Sequence, residues 1–270
     1  MINQTVLPDK WIVVDDGSTD NTYNIIESFS KKHAWMKILK RENRGYRKPG
    51  GGVMEAFYDG FAAIGDSKWD FLVKLDGDLA FAPDYFKKCL GYFLEDKKLG
   101  IGGGTVCYTE KGYLKIESQG DPIFHVRGAT KIYRKNCWED INPLIMSPGW
   151  DTVDEVKANM LGWNTRTFGD IKIVQLKATG SADGAWRDGF KNGLGSYIIG
   201  YHPIFIFGKF FKRVLLKRDF IRAIGLFTGF CSGYLKKIRQ TSDKEVIKYL
   251  RNQQIRHILL RSSIYKKIRQ

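Results

Sequence analysis

The residues best suited to chemistry in this sequence are Asp76 and Asp78, which flank Gly77 directly after an apolar run at residues 69–75. Two carboxylates at a strand end can share a hard divalent cation with a diphosphate, because Mg²⁺ and Mn²⁺ prefer oxygen ligands and accept substrate phosphates. The glycine permits a tight turn. A plain strand-end turn is the alternative. The position after a buried strand and before a helix opened by Pro83 favours the metal site.

A second acidic pair, Asp15-Asp16, follows another short apolar run at residues 11–14. A carboxylate in this position is able to accept hydrogen bonds from a nucleotide base or ribose. On the simpler interpretation, Asp16 and Ser18 form only a turn and a helix cap. The second acidic cluster at residues 76–78 favours the binding role.

The elements that must position these residues alternate along the first 106 residues. We predict strands at 11–14, 36–39, 69–75 and 101–106, with helices near 22–29, 53–64 and 83–94. This alternation predicts an α/β domain with a mostly parallel, Rossmann-like sheet flanked by helices. Because such sheets bind ligands at the carboxyl ends of their strands, both acidic clusters are expected at the same sheet edge.

The pattern is looser beyond residue 108. A helix is predicted after Gly149, with Gly162 as its C-terminal cap, and Thr152 with Glu155 fits a capping box. A short strand is predicted at 171–176. From residue 204 onward, apolar and basic residues interleave, and Ser242 with Glu245 predicts a last helix near 243–260. We therefore divide the chain into a domain at 1–203 and a basic, partly hydrophobic helical tail at 204–270.

The segments at residues 11–22 (WIVVDDGSTDNT) and 74–79 (KLDGDL) resemble family 2 of the inverting nucleotide-sugar glycosyltransferases, which have the GT-A fold. The resemblance covers about residues 3–203. It implies that Asp16, beside Asp15, binds the nucleotide base of a nucleotide-diphosphate sugar donor. It further implies that Asp76 contacts the ribose or the metal region, and that Asp78 ligates Mg²⁺ or Mn²⁺.

The resemblance also implies a general base at the start of a helix. In the family, an acidic pair stands there and a glycine follows its Asp by eleven residues; here Asp151 precedes Gly162 by that spacing, with Trp150 in place of the usual Glu. Asp151 is thus the candidate that deprotonates the acceptor hydroxyl. Asp154 remains the alternative if the register differs by one helical turn, while Glu155 is interpreted as structural.

Two arginines and a basic loop are further candidates for the donor site. Arg127 and Arg187 are suited to holding diphosphate charge or an acceptor phosphate, with a solvated or structurally paired role as the alternative. The loop at residues 43–52 fits neither a Walker A motif nor a dinucleotide-binding motif. We predict a mobile loop near the donor site, and its basic residues are Arg44, Arg47 and Lys48.

Composition narrows the partners. Lys and Arg number 44 against 29 Asp and Glu, a net charge of +15, which suits nucleotides, pyrophosphate-linked lipids or an anionic membrane surface. No recognisable nucleic-acid-binding module is present, so nucleic acid is not expected. The scattered cysteines favour neither zinc nor disulfides and indicate a reducing cytoplasm. Neither a signal peptide nor a transmembrane span is predicted.

The apolar stretch at residues 220–235 contains Arg222 and leaves two interpretations open. It forms either an interfacial helix on an anionic membrane, or a helix packed on the domain with its basic face in water. The resemblance implies a glycan or lipid-linked acceptor and a role in cell-surface polysaccharide or glycolipid synthesis. We therefore expect a cytoplasmic enzyme, peripheral at the inner face of the membrane.

The chain departs from the family at its start. Family members usually have one more strand and helix ahead of the position of Met1, and residues 1–6 resemble the end of that helix. Three hypotheses therefore stand: an inverting hexosyltransferase, a nucleotidyltransferase of similar fold, and an inactive homologue that acts as a binding or scaffold protein.

Overall fold

The computed structural model describes residues 1–46, 48, 50–117, 119–176, 184–215 and 219–266. The predicted alternation of strands and helices over the first 106 residues is confirmed. The strands are β1 (Trp11–Asp15), β2 (Met36–Lys40), β3 (Phe71–Leu75), β4 (Leu79–Phe81), β5 (Leu99–Glu110), β6 (Tyr113–Ile116), β7 (Thr130–Arg134) and β8 (Asn164–Gln175). The helices are α1 (Thr22–Ser30), α2 (Gly51–Ala62), α3 (Tyr85–Glu95), α4 (Lys135–Ile141), α5 (Trp150–Met160), α6 (Gly184–Ile199), α7 (Pro203–Leu215), α8 (Phe220–Leu235) and α9 (Lys244–Ile258).

The strands form two sheets, and the α/β class is confirmed. β1 pairs with β2 in parallel, whereas the larger sheet has the order β3-β7-β5-β8-β4, with β6 paired to β5. Among the described strands of the larger sheet, β5 and β8 are parallel and the other neighbours are antiparallel. The prediction of a mostly parallel sheet is therefore wrong. It assumed a helical crossover after each strand, whereas the described chain between β5 and β7 contains none, and antiparallel neighbours require none.

The two acidic clusters leave different sheets, so the prediction of a shared sheet edge is also wrong. Helix α2 contacts both sheets, one through each of two sides. On one side, Gly60 lies so close to β1 that a Cβ would stand 2.9 Å from Val14 Cγ2. On the other side, Met54 is fully buried in an apolar cluster that includes Leu72 of β3.

The larger sheet owes its close packing on α3 to glycines in β5. Tyr85 and Phe93 project from one face of α3 into the core with Phe168 of β8. A Cβ on Gly104 would lie 2.8 Å from both the Tyr85 ring and the carbonyl oxygen of Ile171. A side chain at this position would therefore push helix and strand apart.

The glycine-rich segment at residues 184–199 forms α6, a helix that the sequence pattern does not predict. Glycine disfavours helices, but tertiary packing outweighs that preference here. Gly189 and Gly193 of α6 face Gly225 and Gly229 of α8, and a Cβ on any of them would overlap the backbone of the opposite helix. Small residues four apart allow this close helix pairing.

The last helix is confirmed, although its cap differs from the prediction. Asp243 occupies the N-cap of α9 and its carboxylate accepts a hydrogen bond from the Val246 N–H at 3.1 Å, so Ser242 is not the cap. Val246 and Leu250 of α9 share a core cluster with Val153 of α5. None of the helices in the described part of the chain combines the length and apolar character needed to cross a bilayer.

Candidate active site

Asp76 follows β3 and is held against the start of β7, because its N–H donates to the carbonyl oxygen of Ala129 at 2.9 Å. Alternation along an extended chain puts Lys74 on the same side as Asp76. The buried Lys74 ammonium is ion-paired with the Asp76 carboxylate and donates to the carbonyl oxygen of Gly128 at 2.6 Å. It also lies 5.3 Å from the centre of the Trp150 ring. Asp76 is therefore partly neutralised by a lysine of the same strand.

Asp78 lies in the turn between β3 and β4, close to the end of β8. Its backbone carbonyl accepts a hydrogen bond from the Leu176 N–H at 2.8 Å, and the Gln175 amide donates to its Oδ2 at 3.3 Å. That long contact leaves most of the carboxylate's acceptor capacity available. Asp78 is thus better placed than Asp76 to ligate a cation.

The two carboxylates on this turn fit a hard divalent cation that takes only one or two ligands from the protein. Among the described residues, no group of three or more His, Cys, Asp or Glu side chains converges into a metal cluster. Mg²⁺ usually takes one or two carboxylates and completes its shell with water and substrate phosphates. The carboxylate of Asp78, with Asp76 as a second oxygen donor, meets that requirement once a diphosphate is bound.

Asp151 lies in the first turn of α5, whose N-cap is Gly149 with a left-handed φ of 92°. The helix N-terminus stabilises a carboxylate there. Asp151 rests over Gly128, because a Cβ on Gly128 would lie 3.2 Å from Asp151 Oδ2. Since Lys74 donates to the Gly128 carbonyl, Asp76 and Asp151 are joined through only Lys74 and Gly128.

The electrostatic surroundings keep the Asp151 carboxylate ionised. Burial alone would raise its pKa, but nearby cationic side chains outweigh that effect and hold the pKa below its ordinary value. Those side chains are His125, Lys131, Arg127 and Lys74. Within the described residues, no hydrogen bond or ion pair engages the Asp151 carboxylate itself, so its oxygens remain available to a proton donor.

Asp154, the alternative base, is enclosed. Lys131, with no exposed surface, lies 2.8 Å from both Asp154 oxygens, and the Tyr133 hydroxyl donates to Asp154 Oδ2 at 2.7 Å. Burial raises the pKa of Asp154 to about 6, and the neighbouring Glu155 charge adds to this, whereas Lys131 opposes it. A carboxylate held in this way has no open side toward an acceptor, which favours Asp151 as the base.

Glu155 is structural, as predicted, but through different contacts from a capping box. Its Oε1 accepts hydrogen bonds from the Val126 N–H at 2.6 Å and from Lys131 at 2.8 Å, while its Oε2 lies 2.8 Å from His125 Nδ1. Lys131 also donates to the backbone carbonyl of Asp151 at 2.6 Å. Lys131, Asp154 and Glu155 form a buried cluster, and its hydrogen bonds hold the first turns of α5 against β7.

The first acidic pair has a closed and an open member. Asp15 is buried; its Oδ1 accepts the Ser18 N–H at 3.0 Å, while its Oδ2 is enclosed and has no hydrogen-bond partner among the described residues. Asp16, with 43% of its side chain exposed, is ion-paired with Arg41 and with Arg44, whose Nη2 lies 2.7 Å from Oδ1. A cavity of about 360 Å³ opens beside them, lined by residues 17–19 and 40–43.

The basic loop is linked to this pair. Arg44 and Lys48 are both ion-paired with Glu55 of α2, so the loop connects Asp16 to that helix. A Cβ on Gly50 at the N-terminus of α2 would lie 2.5 Å from Pro148 N, which places the same helix end against the segment leading to α5. Arg47 lies outside the described residues.

The two predicted arginines lie in different surroundings. Arg127 Nη2 is 3.3 Å from Glu117 Oε2, and its Nε is enclosed with no hydrogen-bond partner in the part of the chain that the structure describes. Arg127 also contributes to the positive field at Asp151. Arg187 is exposed in the first turn of α6, and within the described residues no hydrogen bond or ion pair joins it to the other candidates.

Sequence reasoning missed Lys74, Lys131 and His125. Lys74 carried a signal, because it is a charged residue inside the short apolar strand β3 and a buried charge requires partners. Lys131 lies in the more polar strand β7, which gives no such contrast. His125 gave no signal, because its partner Glu155 is 30 residues away in the chain.

Parts of the chain are similar to known proteins. The family model described as "Glycosyl transferase family 2" matches residues 1–148, just over half of the chain, and ends three residues before Asp151. The chondroitin synthase of Pasteurella multocida strain Pm70 and the hyaluronan synthase of Pasteurella multocida are each 34% identical over 98 residues. Each match covers 36% of this chain but 9% of the relative, so the chain corresponds to a small part of those proteins.

One solved structure shows the same fold over most of the chain. The mannosyltransferase PcManGT from Pyrobaculum calidifontis, in complex with GDP-Man and Mn²⁺, superimposes with a TM-score of 0.50 and 15% identity. The similarity covers 87% of this chain and 69% of that one. At this identity the similarity bears on the fold: a central sheet flanked by helices.

Proposed function

Because the chain belongs to glycosyl transferase family 2, we propose that it is an inverting, metal-assisted hexosyltransferase that uses a nucleotide-diphosphate sugar donor. Membership of this family supports glycosyl transfer. Inversion at the anomeric carbon and specificity for a hexose are proposed in addition. The observation that carries it is the short connection from Asp76 through Lys74 and Gly128 to Asp151. This connection supports a site in which Asp76 faces the donor and Asp151 serves as the base.

On the acceptor side, Asp151 takes the proton. The acceptor hydroxyl oxygen forms a bond to the anomeric carbon while the bond from that carbon to the diphosphate oxygen breaks, so the configuration inverts. The lowered pKa of Asp151 keeps it ionised at neutral pH, and the hydroxyl loses its proton to Asp151 during the attack. Lys131 and Glu155 hold the helix turn that aims this carboxylate.

On the donor side, we propose that Asp16 and Asp15 bind the nucleoside, and that Asp76, Arg127 and Arg187 contact the sugar diphosphate. A divalent cation, Mg²⁺ or Mn²⁺, held by Asp78 and assisted by Asp76, would neutralise the departing diphosphate. Support comes from the hard oxygen donors on this turn, and the solved mannosyltransferase of the same fold contains Mn²⁺ with GDP-Man. We also propose that residues 1–203 contain this site and that residues 204–270 form a tail with a separate role.

For the acceptor, we propose a glycan or lipid-linked hydroxyl in cell-surface polysaccharide or glycolipid synthesis. The two curated relatives are named as chondroitin and hyaluronan synthases, which supports a carbohydrate acceptor. The net charge of +15 suits an enzyme on the cytoplasmic side, peripheral at the inner face of an anionic membrane.

The test of the donor site is binding of a panel of nucleoside diphosphates, measured by calorimetry with and without Mn²⁺. We expect Mn²⁺-dependent binding to at least one of them and its loss in Asp78→Ala. Asp84→Ala, at an exposed aspartate that ion-pairs with Lys88 of α3, is the control and retains binding. Failure of every nucleotide to bind would support the inactive scaffold instead, and unchanged binding in Asp78→Ala would remove the proposed metal site.

The test of the base is Asp151→Asn, which preserves shape and removes the proton acceptor. We expect turnover to fall by a factor on the order of 10²–10⁴ while donor binding is retained. A parallel loss of donor binding and turnover would assign Asp151 a structural role. Asp154→Asn, measured alongside, tests the alternative, because a general base at Asp154 would reverse the two results.

A further inference from the structure

Helix α7 turns apolar side chains away from the protein. Its buried side chain, Ile206, packs into the core, yet the residues on the opposite side are also hydrophobic. A helix that packs on a core normally presents polar residues to water on that side. The exposed residues recur every three or four positions, which keeps them on one face: Ile204, Phe207, Phe211 and Leu215.

Helix α8 repeats this arrangement. Its glycines and Leu226 lie against α6, while the other side is exposed and almost entirely apolar. The exposed apolar side chains of α8 are Phe220, Ile221, Ile224, Tyr234 and Leu235. A helix that is hydrophobic all round is characteristic of a protein interior or a membrane environment.

The two exposed sides form a single surface. Phe207 of α7 is about half exposed and its ring lies 5.2 Å from the ring of Phe227 on α8. Phe210 lies 5.8 Å from the same ring, so the helices pack side by side through these aromatic contacts. The exposed apolar residues of α7 and α8 together are named the α7–α8 face. A contiguous surface of this kind marks an interaction site.

The charge around the α7–α8 face indicates which partner it contacts. Residues 204–240 contain nine Lys or Arg and one acidic residue, Asp219, whose carboxylate is ion-paired with Arg222 at 3.0 Å. Lys212 is exposed on α7, and Lys236 and Lys237 are exposed at the end of α8. Protein interfaces are depleted in lysine, whereas a bilayer containing anionic lipids attracts it.

The α7–α8 face is also close to the candidate base. The N-cap of α5, Gly149, touches Ile199 at the end of α6, and a Cβ there would overlap the Ile199 side chain. Tyr197 of α6 in turn lies against Gly233 and has its ring 4.6 Å from that of Tyr234 on α8. Two contacts, that of Gly149 with Ile199 and that of Tyr197 with Gly233, therefore link the first turn of α5 through α6 to the last turn of α8.

We propose that the α7–α8 face docks on an anionic phospholipid bilayer, with its apolar side chains in the interfacial region and the lysines on lipid phosphates. Amphipathic helices bind membranes through this combination of apolar burial and charge. The proposed docking rests on the peripheral membrane location proposed above, for which it names the contact surface, and it does not depend on transferase activity. Its consequence for catalysis, a site kept near a lipid-linked acceptor, does rest on the proposed function.

The test is co-sedimentation of the full chain with vesicles of phosphatidylcholine, with and without phosphatidylglycerol. We expect binding to the anionic vesicles and a roughly tenfold or larger drop in partitioning for Phe211→Asp and for Ile224→Asp. Both side chains are exposed, 53% and 51%, so substitution leaves the folded core intact. Leu94→Asp is the matched control, because Leu94 is 74% exposed on α3, and it binds like the unaltered chain.

The charge contribution has its own matched pair. Lys236→Glu with Lys237→Glu weakens binding to anionic vesicles, and Lys97→Glu with Lys98→Glu, an equally exposed pair after α3, does not. Undiminished vesicle binding in Phe211→Asp and Ile224→Asp overturns the proposal. Conversion of a dimer to a monomer by these substitutions, with vesicle binding unchanged, would instead assign the face to a second copy of the chain.

Nucleoside diphosphate binding with Mn²⁺ is measured on the same variants and separates the two proposals. Vesicle binding without nucleotide binding by the unaltered chain would leave docking in place and reject the transferase. The reverse result would reject docking alone.

Discussion

Two clusters of charged side chains lie near the candidate site, and they differ in how far water reaches them. Around Asp16, two arginines and Glu55 form ion pairs at the surface. Beneath α5, Lys131 is enclosed with Asp154 and Glu155. The same residue types therefore serve different ends: the surface cluster is able to rearrange around a ligand, whereas the buried cluster must remain intact to hold Asp151.

The energetics follow from the solvent. An exposed ion pair typically contributes about 0–1 kcal/mol, because water screens the attraction and the side chains lose entropy. A buried pair contributes little relative to an apolar replacement of both partners, but loss of one partner leaves an unpaired charge and costs about 3–5 kcal/mol. A single substitution should therefore lower the free energy of unfolding much more in the buried cluster than in the surface cluster.

The largest expected effect is that of Lys131→Met. The substitution removes the ammonium shared by Asp154 and Glu155, so the free energy of unfolding should fall by about 3–5 kcal/mol. Urea denaturation followed by circular dichroism measures it. Lys115→Met, which breaks the exposed ion pair with Glu110, is the control and should change stability by less than about 1 kcal/mol. Similar effects of the two substitutions would contradict the comparison.

A pH titration sharpens the comparison further. Burial alone would lower the pKa of His125, but the negative charge of Glu155, 2.8 Å away, outweighs this and raises it. A group with a raised pKa in the folded state contributes stability that is fully present below its unfolded pKa of about 6.5 and is lost as pH rises through the folded value. Asp154, raised to about 6, acts in the same direction at lower pH.

The free energy of unfolding should therefore decline as pH rises through neutrality, and the decline should be smaller in His125→Gln. Urea titrations at a series of pH values measure the slope. Asp16→Asn, in the surface cluster, should keep the slope of the unaltered chain, since no histidine ion-pairs there within the described residues. An unchanged slope in His125→Gln would show that another group controls the pH dependence.

The local elements were predictable because their causes are local. The apolar run at 11–14 and the spacing of buried residues in α3 mark a strand and a helix in the sequence itself. The division into two sheets was not predictable, because it depends on which strands pair over long distances. Helix α6 was missed because its glycines disfavour a helix in isolation, and only the approach of α8 explains them.

The residues of the candidate site also fall into a group that local sequence identifies and a group that depends on long-range contacts. Asp76, Asp78 and Asp151 were found from motif and spacing, and their roles stay predictions. Lys131 was missed because its partners Asp154 and Glu155 lie more than twenty residues away, and no pattern in β7 identifies them. Motifs locate groups that face a substrate, whereas the residues that hold those groups are defined by tertiary contacts.

The smallest effect on stability is expected at Asp16. There the comparison predicts that a substitution weakens ligand binding but hardly changes the free energy of unfolding. Asp16→Asn should alter the free energy of unfolding by no more than about 1 kcal/mol, because the lost ion pairs are exposed. Binding of a nucleoside diphosphate should nevertheless weaken roughly tenfold if the carboxylate accepts hydrogen bonds from the nucleoside.

The matched control is Asp59→Asn, because Asp59 belongs to the same cluster through Arg41 at 2.7 Å but lies on α2. Calorimetry with Mn²⁺ compares the affinities of both variants, and urea denaturation compares their stabilities. Equal weakening in the two variants would mean that the cluster acts through its overall charge. A selective loss in Asp16→Asn would show that the surface cluster gives up one of its ion pairs to receive the donor, which the buried cluster beneath α5 cannot do without unfolding.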